Sequence, residues 1–241
     1  MDYVVLDNVH KAYPRRYGAP TLRAHHERAE RDRLDRALRG VSLRVASGDG
    51  VAIMSTRRSG RSTLLAVVAG LYRPDAGSVR VHGRVTGFTA MGAGFASSVP
   101  VARNLRVAAA LLGMLPSDLD ERRPAILAHA GLTDDDLGFP TREIDASQRR
   151  RLAYSLVLFS RPDVLLADGL VLFGDKAFRE ASLTQLTQLR EQGHALVLAT
   201  HHPTVMRALC SRAVVLHRGE VVYEGNFRQA RRTLASLRRG D

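Results

Sequence analysis

Tryptophan is absent from this 241-residue chain, and phenylalanine and tyrosine together supply only 5% of it. That scarcity argues against the aromatic platforms on which single-stranded nucleic acids stack. Lysine is nearly absent too. Lys11 and Lys176 are the only two among 36 basic residues, so the other 34 are arginines. A lone cysteine, Cys210, excludes an internal disulfide and any cysteine-based zinc site, and it suits a reducing compartment. Long apolar runs are missing: the longest, Val107 to Leu115, is too short to span a bilayer. Asp2 and Asp7 stand where a secretory leader would be basic and then apolar, so no export signal is expected.

What is present is an ordinary globular balance, 45% apolar and 25% charged, in a length that suits one large domain or two small ones. The net charge of +12 and isoelectric point near 11.0 suit a polyanionic partner, either nucleic acid or an anionic lipid surface. They equally suit arginines spread over a solvated surface, because the two signs interleave along the chain.

Short apolar runs alternate with helical patterns. Val4 to Leu6, Val41 to Val45, Val51 to Met54, Val164 to Asp168 and Ala195 to Ala199 read as strands, with Asp7 to Val9 as a turn after the first. Residues 22–39 carry opposite charges four apart, such as Glu27/Arg31 and Asp32/Arg36, and read as an exposed helical insertion. Residues 103–160 read as mostly helical, with Ser117 as a helix cap. Ala213 to Leu216 and Val221 to Tyr223 form a hairpin, and a basic helix follows Asn226. The alternation predicts an α/β fold with a mainly parallel sheet.

The stretch with the most chemistry is Ser55 to Thr63. A strand, a polar loop with Ser59-Gly60-Arg61-Ser62-Thr63 and a helix are the parts of a phosphate-binding loop, where backbone amides, a cation and a hydroxyl meet an anion. Asp145-Ala146-Ser147-Gln148 opens a helix further on, and Asp168 ends an apolar strand 23 residues later. Phe173-Gly174-Asp175 and Thr200-His201-His202-Pro203 complete the order. On these motifs the chain resembles an ATP-binding cassette protein, the nucleotide-binding subunit of an ABC transporter, and is most similar to the capsule polysaccharide export branch.

The resemblance implies a RecA-like P-loop core with a helical subdomain at 97–160, in one cassette domain spanning 1–241. It implies ATP and Mg²⁺ as cofactors. Tyr13 would stack on adenine, or else anchor the turn before Pro14. Ser59, Gly60, Arg61, Ser62 and Thr63 would hold phosphates. Ser62 and Asp168 would serve Mg²⁺, with a helix cap as the other reading of Asp168. His201 would sense the γ-phosphate, and Asp145 to Gln148 would form the signature that meets nucleotide across a dimer. The implied partners are a membrane-spanning permease and a second cassette, in a homodimer or heterodimer, with peripheral attachment on the cytoplasmic face of the cell membrane. Asp175 would touch a partner subunit or serve as a turn carboxylate.

Several positions depart from that family's pattern. Gly169 stands where the catalytic glutamate belongs, Ala96 where a glutamine belongs and Asp145 where a serine belongs. Arg61 replaces the loop lysine, and Ser55 and Arg58 replace loop glycines. A missing base removes roughly 10²–10⁴-fold of rate, so weak nucleotide binding with impaired hydrolysis is expected. The competing expectation is a non-hydrolysing basic protein on the same fold that contacts nucleic acid or an anionic membrane. The low aromatic content weighs against the nucleic-acid form of it.

Overall fold

The computed structural model describes residues 1–14, 34–88, 95–169, 173–200 and 202–240. Two sheets organise them. The larger has the order β5-β6-β7-β3-β8-β9, formed by β3 (Gly50–Ser55), β5 (Val85–Gly87), β6 (Val164–Asp168), β7 (Ala195–Ala199), β8 (Arg212–His217) and β9 (Glu220–Gly225). All its neighbours pair in parallel except β8 and β9, which form the expected hairpin. The smaller sheet, order β2-β1-β4, is antiparallel and built from β1 (Asp2–Pro14), β2 (Leu34–Ala46) and β4 (Ala76–Val81).

The central strands are apolar throughout because both of their faces are covered. Alternate residues serve opposite cores. Ala52 and Met54 of β3, with Leu165, Leu196 and Val215, pack with α4 (Ala146–Phe159), α5 (Lys176–Glu191), α6 (Pro203–Leu209) and α7 (Phe227–Gly240). Val51 and Ile53, with Leu166, Val197 and Leu216, pack against α1 (Arg61–Val68) and the smaller sheet. A third core joins α2 (Val101–Leu111), α3 (Pro116–Ala130) and α4 through Leu105, Ile126 and Leu152. Truncating a side chain such as Ile53, which is fully buried, to alanine costs about 2–5 kcal/mol.

Three sequence expectations change. Residues 34–39 are not part of a helical insertion but the start of β2, paired with β1 through Tyr13↔Asp35 and Lys11↔Leu38. Charge spacing is a local signal, whereas β2 lies at a sheet edge where polar residues are tolerated, and Leu38 is buried there. The remainder of the 22–39 segment, residues 22–33, lies outside the described residues. Asp7 to Val9 is not a turn but a bulge within one 13-residue strand. Asn8 takes a left-handed φ of 49° there, a conformation that asparagine tolerates in bulges and turns alike. Ser117 caps nothing: α3 starts at Pro116, whose fixed φ suits a first helical turn. Among the described residues no helix is long and apolar enough to cross a membrane.

Candidate functional site

The loop between β3 and α1 is laced to its surroundings by its own backbone. Thr56 N–H donates to Leu216 O (3.4 Å), and Gly219 N–H donates to Ser59 O (2.9 Å). The Thr56 hydroxyl lies 3.0 Å from His217 Nδ1. Gly60 has φ +89°, and a Cβ there would fall 1.9 Å from Ala37 O, so β2 closes the space above the loop to any residue but glycine. Arg58 takes the left-handed φ of 53° that glycine would take freely. The loop thus holds its turn despite the arginine, at about 1–2 kcal/mol of backbone strain. Helix α1 begins with no side-chain cap and no acidic residue in its first turn. The positive end of its dipole therefore favours an anion.

The loop walls a cleft of about 840 Å³ that takes in Ser55 to Thr63 together with Tyr13 at the end of β1. Tyr13 packs edge-on against Tyr72, ring centroids 5.7 Å apart, beside Lys11. So the structure brings Tyr13, Ser59, Gly60, Arg61, Ser62 and Thr63 around one cavity. Asp168 joins them from the end of β6. Its Oδ2 accepts the Ser62 hydroxyl proton at 3.0 Å, and its Oδ1 lies 2.9 Å from Arg61 Nη2.

Sequence reasoning missed three residues that line this cleft, Asp35 and Ala37 of β2 and Arg238. Asp35 and Ala37 fall in the segment read as an insertion, and Arg238 arrives on the last turn of α7. No local signal marks any of them. Arg238 also borders a second cavity of about 700 Å³ between α6 and α7, floored by Met206, Phe227 and Leu234.

The other predicted residues stand apart from the loop cleft. Asp145 is the N-cap of α4. Its carboxylate accepts from Ser147 N–H (2.6 Å) and Gln148 N–H (3.0 Å). Gln148 Oε1 accepts from Asp145 N–H (3.3 Å), which closes a capping box, and Gln148 Nε2 donates to Gly131 O (3.2 Å). Asp145, Ala146, Ser147 and Gln148 do not line the cleft, so the two halves of the expected site are separate within one chain. Ala96 is pinned by Asn104, whose side chain holds its N–H and its carbonyl. Gly169 follows Asp168 with φ +81° and donates to Ala199 O at 2.8 Å. His201 lies outside the described residues.

Asp175 caps α5 by accepting from Phe178 N–H (2.9 Å) and pairs with Arg151 of α4 at 2.8 Å. The Phe178 amide, and then Arg151, hold its carboxyl below the usual range. His129, in contact with Ser155 (2.7 Å) and Ser182 (3.3 Å), is pushed down by burial. These two side chains tie the helical layer to α5.

The loop suits a polyanion, with the uncapped N-terminal end of α1 and with Arg57, Arg58 and Arg61 on the cavity wall. Its donors do not suit a divalent cation. Ser62 and Asp168 do come together, but both Asp168 oxygens are engaged by the chain itself. Ala96 and Gly169 carry no side-chain oxygen.

Comparison with known proteins agrees with this geometry. The profile of the ABC transporter family matches residues 38–170. An ABC transporter protein of Aeromonas salmonicida is 35% identical over 78% of this chain and 61% of its own length. An O-antigen export system ATP-binding protein of Myxococcus xanthus is 29% identical over 92% of this chain and 53% of its own length. The chain thus spans little more than half the length of these curated relatives. A solved structure of an ATP-binding subunit of an ABC transporter superposes with a TM-score of 0.73 at 18% identity, covering 97% of this chain and 93% of that one. The fold is that of the ATP-binding cassettes, a RecA-like P-loop core.

Proposed function

The chain belongs to the ABC transporter family, and on that footing we propose that it is the nucleotide-binding subunit of an exporter of cell-envelope polysaccharide, one that hydrolyses ATP poorly. The observation that carries the reading is the loop cleft. Its backbone is held in a phosphate-binding shape and its wall is arginine-rich, although two of the loop's glycine positions and its lysine are replaced. The export role is supported by similarity to an O-antigen export ATP-binding protein.

In this reading the amides of Ser59 to Thr63 and the guanidinium of Arg61 hold the phosphates, and Tyr13 packs on the base. Asp145 to Gln148 present the α4 N-terminus to a second cassette, of the same or a different chain. The pair docks from the cytoplasmic face on a separate membrane-spanning permease. His201 is the γ-phosphate sensor. Hydrolysis is slow because the position after Asp168 is a glycine and the position after Phe95 an alanine, so neither can hold or remove a proton from attacking water. A positioned base is worth about 10²–10⁴-fold in rate. The Asp145 carboxylate is spent on its own helix and does not gain from an approaching phosphate.

Equilibrium ATP binding and phosphate release, with and without the co-encoded membrane subunit, test the reading. The wild type should bind ATP weakly and turn over far below the ~1 s⁻¹ of ordinary enzymes, and Arg61→Ala should bind about tenfold more weakly still. Unchanged affinity in that variant removes the loop as the site. Turnover of order 1 s⁻¹ refutes the slow-hydrolysis claim.

A further inference from the structure

We infer that the phosphate site of this chain works without a divalent cation, with the Arg61 guanidinium supplying the positive charge beside Asp168. The inference rests on the nucleotide-binding reading above and specifies the form of ligand the cleft takes: a metal-free nucleoside polyphosphate.

Both oxygens of Asp168 are in use, Oδ1 by Arg61 Nη2 at 2.9 Å and Oδ2 by the Ser62 hydroxyl at 3.0 Å. Mg²⁺ requires a near-octahedral shell of oxygens and gives up water reluctantly. To enter here it would have to displace a guanidinium and then remain beside it. A guanidinium is planar, permanently charged and weakly hydrated, so it holds a carboxylate more firmly than a lysine ammonium does and cannot lose its charge to make room. Positions 96 and 169 offer the ion only alanine and glycine.

Arg61 can serve a phosphate without releasing Asp168. One Nη donates to the carboxylate, and a guanidinium carries five N–H donors, so the other Nη remains for an anion. The charge balance points the same way. A free nucleoside triphosphate carries two more negative charges than its magnesium complex. A cleft walled by four arginines, Arg57, Arg58, Arg61 and Arg238, against one carboxylate, Asp35, therefore attracts the free form more strongly.

The test is calorimetric titration of the full chain with ATP, once in excess EDTA and once in excess magnesium. Binding should be roughly threefold tighter in EDTA, as expected for a cluster of cations meeting the more highly charged ligand. Asp168→Asn, checked for folding by its melting curve, frees the guanidinium and should tighten ATP binding in EDTA by a similar factor. Mn²⁺ alone, followed by its spin-resonance signal, should not be depleted by the protein. A loss of about tenfold or more on removing magnesium, or weaker binding by the asparagine variant in EDTA, overturns the inference and leaves the nucleotide reading standing. No ATP binding in either buffer overturns both.

Discussion

Replacing Gly169 tests whether the missing catalytic glutamate is a simple deletion or is built into the local backbone. The residue has φ +81°, and a Cβ added there meets none of the described residues within 4 Å, so among them a substitution costs conformation and not collision. A left-handed conformation costs a residue with a Cβ about 1–2 kcal/mol. Losing glycine's extra freedom in the unfolded chain returns about 0.5–1 kcal/mol of that. The backbone cannot easily relax, because Gly169 N–H donates to Ala199 O at 2.8 Å at the end of β7. Breaking such a bond loses about 1 kcal/mol. Gly169→Ala and Gly169→Glu should therefore each lose about 0.5–1 kcal/mol, a fall of roughly 1–4 °C in melting temperature for a chain of this size. Gly169→Asn should lose less, since asparagine tolerates the left-handed region. Denaturant unfolding of the three variants beside the wild type measures this. An alanine variant as stable as the wild type would refute the strain argument. The glutamate variant should also remain near background in ATP turnover, because its side chain issues from a strained backbone and position 96 is still alanine.

At Asp145, alanine should cost about 1 kcal/mol through loss of the capping box, while serine, an equally good cap, should stay within a few tenths; equal losses for both in urea unfolding would show that the carboxylate is not acting as a cap. Asp175 has a lowered pKa in the fold, so its contribution is fully present above the ordinary carboxylate range and fades as pH falls through and below it. Wild type and Asp175→Asn should thus differ in stability at neutral pH and converge in acid, and a gap that widens on acidification would contradict the assigned sign. Cys210 is buried and its thiol is pushed up to about 12, so a thiol reagent should label the native chain only on the timescale of local opening. Rapid labelling at neutral pH would show that the thiol is accessible.

Much of the molecule follows from local pattern. The strands at 51–54, 164–168 and 195–199 are short apolar runs between turn residues, and each becomes a central parallel strand because burial on both faces demands that composition. The phosphate loop was legible because its parts are contiguous: strand, Gly60, hydroxyls, helix. Tertiary structure decided what depended on distant partners. Residues 34–39 become strand because β1 pairs with them, and no helical charge spacing outweighs a row of backbone hydrogen bonds. Asp145, marked in the sequence by its place in the motif order, accepts from the amides of Ser147 and Gln148. An unpaired helix terminus is the nearest available donor set for it. Motif order placed Arg61 and Asp168 in one site, but nothing in that order says that they join each other. That pairing requires the ends of β3 and β6 to lie on the same edge of the sheet, where a forked cation and a carboxylate come within reach of each other.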